Sequence, residues 1–475
     1  MDSVIGLGKI LWTLFQVIVL FNILIVVHEL GHYWAAKWRG LKVEKFQIWF
    51  GKPIWKKKIK DVQWGLGWIP MGGFVALPQM APMEMLEGKN EGNEVLPPIT
   101  PKDKIIVAFA GPLFSFGLAF VFALLVWGFG KPVREQLQST VVGSVVPGMP
   151  AELAGVLPGD KILEIDGVKV HSFAGMVDSV LERIIYSEGE QIVLLIERQG
   201  ITEPLEIRCG FTKEERPAHQ RQDFRRIGVA PVSDAIVDVT IPNSPAEKAG
   251  LQRGDEILQA NGQKLFGREM LSFMIQEMGD EIKPIELVVL RNSENIKVSI
   301  VPEVPAQPKG NPAMLGLQWQ LPPMTIERPG PNPFTQIWNG ATAIFRTLNA
   351  LMPWHDADVS VSQMSSAVGI GKHYYDTLSD PVYGWRFAFV LSVLINVNLG
   401  MLNLLPLPVL DGGHIVMALY EWIFKSPLNI KLMEMLQFGC VLLLISFMIY
   451  VTWFDIGDLS NDNESGDPEP IVFSP

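Results

Sequence analysis

Apolar positions divide the chain into four long uncharged runs and one long mixed stretch. Residues 10–27, 105–130, 387–410 and 435–454 give runs of 18, 26, 24 and 20 positions without a charge. A bilayer core of about 30 Å takes roughly 20 apolar residues as a helix, so each run predicts a membrane span. The first run is read as a retained span rather than a secretory signal. Only Lys9 flanks it as a basic residue, no small-residue cleavage site follows, and the next residues are His28 and Glu29. Between the second and third runs, residues 131–384 alternate short half-polar segments with Gly, Pro, Asn and Asp turns, the pattern of small water-soluble domains.

Charge orients these spans. Nine Lys or Arg residues fall within 37–60, whereas 455–475 holds none and six acids. Basic segments beside a span stay cytoplasmic, so the loop after the first span is expected inside, with both termini and residues 131–384 outside. The overall net charge of -11 argues against a nucleic-acid partner. Cys209 and Cys440 lie in a polar and an apolar region respectively, so no disulfide is expected.

The exterior stretch contains a duplication. Residues 150–167 read PAELAGVLPGDKILEIDG and 245–262 read PAEKAGLQRGDEILQANG. The offset is 95 residues, and 10 of 18 positions are identical. Each copy predicts a short helix ended by Gly155 or Gly250, a Gly-Asp turn, a strand, and a hairpin at Asp166-Gly167 or Asn261-Gly262. The pattern resembles PDZ domains, which capture extended peptides or chain ends at a sheet edge. That resemblance implies carboxylate-binding loops near Ile227-Gly228-Val229 and Leu315-Gly316-Leu317. The plainer alternative is that the copies are spacers. Residues 80–100, rich in Met, Glu, Gly and Pro, predict a mobile loop. Residues 321–333 carry five prolines and predict a stiff linker. After it, Phe334, Ile337, Trp338, Ala341, Ile344, Phe345 and Leu348 recur at helical spacing and predict an amphipathic helix.

The candidate chemistry sits at span ends. His28-Glu29-Leu30-Gly31-His32 closes the first span. On a helix the two imidazoles share one face and can ligate one Zn²⁺, with Glu29 placed to take a proton from water there. Zinc needs a third protein ligand and an open position. Span three carries Pro406 and Pro408, which break a helix, followed by Asp411 on the same side as the histidines. His414 is the rival third ligand. One alternative is a zinc peptidase working at the membrane surface with a different third ligand. Another is a catalytically idle scaffold with no need for Glu29.

HExxH on the first span, paired with the Asn403-to-Gly412 motif NLLPLPVLDG on the third, resembles the site-2 protease family of intramembrane zinc metalloproteases. With two PDZ-like copies between spans, the chain is most like the branch that regulates sigma-E. The resemblance implies one zinc ion per chain held by His28, His32 and Asp411, with Glu29 as general base. It implies substrate contacts from Asn403, Asn398 and the edge Gly72-Gly73-Phe74-Val75 of a membrane re-entrant β-hairpin. The implied substrate is a single-span membrane protein, an anti-sigma factor already cut outside the membrane or a remnant signal peptide. Ala110-Gly111-Pro112 fits the family, but Ser115 stands where Asn is usual.

The expected fold is therefore a polytopic α-helical membrane protein with two extracytoplasmic α+β PDZ domains. Its expected parts are span one (1–36), a cytoplasmic loop (37–104) with the hairpin at 62–78, and span two (105–130). The PDZ domains follow at 138–232 and 233–322, then a linker and helix (323–384). A broken span three (385–411), span four (432–454) and an acidic tail (455–475) complete it.

Overall fold

The computed structural model describes residues 2–80, 99–214, 216–217, 220–426, 430–464 and 469–474. The loop expected over 80–100 lies, from 81 to 98, outside the described residues. The chain forms two compact units. One comprises Met1–Pro132, Glu327–Phe345 and Met364–Ile456, the other Val133–Ile326, Arg346–Gln363 and Gly457–Pro475.

The first unit begins with helix α1 (Asp2–Trp38), then strands β1 (Lys45–Phe50), β2 (Trp55–Ile59), β3 (Val62–Leu66) and β4 (Ile69–Ala76), then helix α2 (Pro101–Phe129). Helix α2 opens on a capping box. Thr100 Oγ1 accepts from Asp103 N, Asp103 Oδ2 accepts from Thr100 N, and Pro101 fills the first turn where no donor is needed. Helices α1 and α2 meet at glycine, since a Cβ on Gly31 would stand 2.4 Å from the Ala110 carbonyl oxygen.

The strand order is β2-β3-β1-β4. The hairpin expected over 62–78 is corrected here. Strands β3 and β4 are neighbours in sequence but do not pair, because β1 lies between them, parallel to β3 and antiparallel to β4. Burial explains why β1 takes the centre. Phe46 is 1% exposed, with its ring 4.5 Å from Trp64 and 5.8 Å from Tyr33 of α1. Phe46 joins Val62, Val75, Val107 and Ala110 in one core, so the sheet is fastened to both helices. Lysine-rich β2 is exposed, which blunts one edge; β4 is the other edge.

In the second unit the duplication folds twice alike. The first copy has β5 (Val142–Val145), α3 (Pro150–Leu153), β6 (Lys161–Ile165), β7 (Val168–Lys169), α4 (Val180–Ile185), β8 (Ile192–Glu197), β9 (Leu205–Cys209) and β10 (Val229–Pro231). Its strands form a sheet β9-β8-β6-β7 and a separate pair β5 with β10. The second copy has β11 (Val237–Thr240), α5 (Pro245–Lys248), β12 (Glu256–Ala260), β13 (Gln263–Lys264), α6 (Glu269–Glu277), β14 (Ile285–Arg291), β15 (Glu294–Ile300) and β16 (Leu317–Trp319). It forms a sheet β13-β12-β14-β15 and a pair β11 with β16. Each copy has its own apolar core. Asp166 and Asn261 adopt φ of +49° and +50°, and each accepts a 2.9 Å hydrogen bond from a backbone N–H of the neighbouring strand, Val193 of β8 and Glu286 of β14.

After the copies come α7 (Pro333–Ala350), α8 (Ala367–Ser379), α9 (Gly384–Asn403), α10 (Asp411–Phe424) and α11 (Ile430–Glu464). The single apolar face expected for α7 divides in two. Ile337 and Ala341 join the core with Val397 of α9, while Phe334, Trp338 and Phe345 face outward. Among the described residues four helices are long and apolar enough to cross a membrane: Gly6–Trp38, Pro101–Phe129, Gly384–Asn403 and Lys431–Ser460.

Candidate metal centre

Three side chains from two helices of the first unit converge on one point. Helix α1 supplies His28 and His32, four residues apart and hence on one face. Helix α10 supplies Asp411 as its first residue. The run before it, residues 404–410, is non-helical, as Pro406 and Pro408 require. Asp411 therefore does not close the third span but starts a separate helix, which the sequence reading did not separate from that span. Two glycines let the chain turn so tightly. A Cβ on Gly412 would lie 2.2 Å from the Leu404 oxygen, and one on Gly413 2.0 Å from the Leu407 oxygen.

The donor atoms face one another. His28 Nε2 lies 3.3 Å from Asp411 Oδ2, His32 Nε2 lies 3.4 Å from Asp411 Oδ1, and the two Nε2 atoms are 3.4 Å apart. All three residues are buried, and their ligand atoms fall within 4.8 Å of one another. Both Nδ1 atoms are engaged elsewhere: His28 with Ser115 Oγ at 2.9 Å, His32 with the Val107 carbonyl at 2.8 Å. Such bonds fix ring orientation and leave Nε2 for a metal. Asp411 Oδ2 is buried without a hydrogen bond, a costly state for a carboxylate that a cation would relieve. Two imidazoles and one carboxylate make a donor set that fits zinc, which in catalytic sites takes three protein ligands. Helix α2 can come this close only through Gly111, where a Cβ would stand 2.2 Å from His32 Nε2.

The other sequence candidates fall in different places. Asn403 ends α9 with its Nδ2 3.3 Å from His28 Nε2. Gly73 of β4 lies against the proposed base, since its Cβ would be 3.4 Å from Glu29 Cγ. Gly72, at φ +69°, turns the strand under the Phe50 ring; Phe74 and Val75 pair with Gln47 and Phe46. Asn398 keeps a buried Oδ1 without a hydrogen bond. His414 is buried in the first turn of α10 but is not among the three convergent residues. The loops at 227–229 and 315–317 belong to the second unit. Gly228 and Gly316 adopt φ of +85° and +70°.

Residues 16–447 match the description "Peptidase family M50". The chain belongs to that family. It is a metalloendopeptidase of the site-2 protease type, and the family's zinc dependence makes zinc its cofactor. Several relatives resemble it over nearly their full length. "Protease RseP" of Yersinia pestis is 28% identical, covering 92% of this chain and 97% of that protein. "Regulator of sigma-E protease RseP" of Escherichia coli (strain K12) is 26% identical, covering 92% and 96%. "Regulator of sigma E protease" of Haemophilus influenzae is 27% identical, covering 94% and 98%.

Sequence reasoning missed the supports of the two histidines. Ser115 stood out only as a departure from the family pattern, yet its hydroxyl meets His28. The Val107 carbonyl carries no sequence signal at all, because every residue has one.

Proposed function

We propose that this peptidase cuts single-span membrane proteins within the bilayer, with His28, His32 and Asp411 holding one zinc ion per chain and Glu29 as general base. The observation that carries this reading is the convergence of the three buried donor groups at the ends of apolar helices, beside a glutamate and an edge strand. Zinc held there supplies a Lewis acid for the scissile carbonyl and a lowered pKa for the attacking water. Glu29 takes the proton of that water and returns it to the leaving amine nitrogen. Water attacks directly, so no acyl-enzyme forms.

A helical substrate hides its scissile amide in backbone hydrogen bonds and must unwind. Unwound amide groups need new partners in lipid. Strand β4 offers them along Gly72-Gly73-Phe74-Val75, and Asn403 and Asn398 hold the extended segment.

The names of the relatives support a role in sigma-E regulation. On this reading the substrate is an anti-sigma factor that has already received a first extracytoplasmic cut. Remnant signal peptides are a second substrate class. Charge asymmetry supports an inner-membrane chain with both termini and the duplicated domains periplasmic and the zinc site near the cytoplasmic side. The duplicated domains act as PDZ-type filters, receiving peptide ends near Ile227-Gly228-Val229 and Leu315-Gly316-Leu317.

The test is cleavage of a reconstituted single-span substrate, with zinc content measured alongside. Cleavage by the unaltered chain and none by Glu29→Gln at full zinc content supports the mechanism; equal cleavage by both removes Glu29 from it. Zinc lost in Asp411→Ala but retained in His414→Ala assigns the third ligand, and the reverse result moves it to His414.

A further inference from the structure

The C-terminal residues run back onto the second copy. Val472 N donates to the Gln307 oxygen at 3.0 Å, while Ala306 N and Gln307 N donate to the Val472 oxygen at 2.7 and 3.2 Å. Phe473 is 2% exposed. Its ring occupies the corner beside Gly316, where a Cβ would lie 2.6 Å from a ring carbon. Ile471 lines a cavity of about 200 Å³ together with Leu271 and Ile275 of α6 and Leu315, Leu317 and Trp319 around β16. Three successive residues thus dock, one by backbone pairing and two by apolar contact.

The first copy shows what this corner looks like without a tail. There a Cβ on Gly228 would meet the Met149 side chain, at 2.4 Å from its Cβ and 2.9 Å from its Cγ. Residue 149 corresponds to 244 by the 95-residue offset, and 244 is serine. The smaller side chain leaves room, and the Phe473 ring fills it.

We infer that residues 469–474 are an internal ligand of the second copy, closing the apolar groove between α6 and β16 to extended peptides that would present a large apolar side chain at the Gly316 corner. A tethered segment acts at an effective concentration on the order of mM, so an outside peptide gains the groove only by outcompeting it. The inference rests on the docking geometry, and its test reads binding rather than cleavage, so it stands or falls apart from the proteolytic reading.

The experiment uses the full chain in detergent micelles and a fluorescent peptide with the sequence of residues 469–475. The peptide is expected to bind the Phe473→Ala chain about tenfold or more tighter than the unaltered chain. Hydrogen exchange provides the second readout. The amides of Gln307 and Val472 are protected in the unaltered chain and lose protection in Phe473→Ala, while those of Ile257 and Val289 in the sheet keep theirs, which separates undocking from unfolding. Free exchange at Gln307 and Val472 in the unaltered chain, or equal binding of the peptide to both chains, absent binding included, overturns the inference.

Discussion

The two copies of the duplicated domain share their buried polar joints and differ at the groove corner. In the first, Asp160 is 1% exposed, receives two hydrogen bonds of 2.7 Å from Arg198 and accepts another from Leu157 N at 2.8 Å. In the second, Asp255 is equally buried, receives 2.7 and 2.6 Å bonds from Arg291 and accepts from Gln252 N at 2.8 Å. Each arginine also reaches the carbonyl of the glycine that ends the short helix, Gly155 or Gly250, at 2.7 Å. Glu152 and Glu247 likewise accept from Gly148 N and Asn243 N, both at 2.6 Å. The repeated residues are those that close otherwise open backbone groups, whereas Met149 and Ser244 diverge where a guest can sit. What matches maintains the fold, and what differs changes what the groove holds.

If the two Asp–Arg clamps are equivalent, Asp160→Ala and Asp255→Ala each destabilise their own copy by about 2–3 kcal/mol, the range for breaking a buried pair whose arginine is partly exposed. Hydrogen exchange along β6 and β12 of the full chain reads this. A difference beyond about 1 kcal/mol between the copies breaks the equivalence.

The histidines of the candidate metal centre pose the same contrast between a removable and a fixed support. Ser115→Ala deletes the bond to His28 and is expected to weaken zinc binding by about 10- to 100-fold, measured by chelator competition. No side-chain change removes the Val107 carbonyl from His32. Unchanged affinity would mean that packing alone orients His28.

Phe473→Ala is expected to cost the second copy about 1–2 kcal/mol, below the full burial value because the tail can leave rather than expose a cavity. The first copy should not respond. Ser244→Met gives the second copy the first copy's corner. It removes the Ser244 cap on Glu247 N, worth about 1 kcal/mol, and fills the space of Phe473, so it should release the tail. A tail that stays docked in Ser244→Met would show that the corner is not what admits it.

Acid gives the smallest effect. Burial alone would raise the Asp255 carboxyl, but the hydrogen bonds from Arg291 and Gln252 N outweigh it and hold the carboxyl below its ordinary range. A depressed folded pKa stabilises above the unfolded value, about 3.9, and that stability is lost as pH falls through the folded value. The second copy should therefore loosen only below about pH 4. Loss of protection along β12 already at pH 5–6 would assign the clamp another role.

Much of this was legible in the residues. Four spans, the duplication and the HExxH and NLLPLPVLDG motifs depend on local physics: apolar length, helical spacing, and proline's missing donor. The missed features are long-range. Arg198 and Arg291 lie outside the matching 18-residue segments and are 93 residues apart rather than 95, so the repeat spacing does not pair them with the repeated aspartates. Strand β1 intervenes between β3 and β4 because Phe46 finds Tyr33 and Trp64, a contact that no alternation pattern displays. The split faces of α7 follow from α9 packing on one of them.

The sequence by itself determined which side chains are the candidates for the chemistry, since ligand type, spacing on a helix and a broken span are written in consecutive residues. Only the tertiary structure decided what orients them and what fills the grooves. A serine hydroxyl, a backbone carbonyl and a returning tail become partners through the packing of distant segments, which local spacing cannot encode.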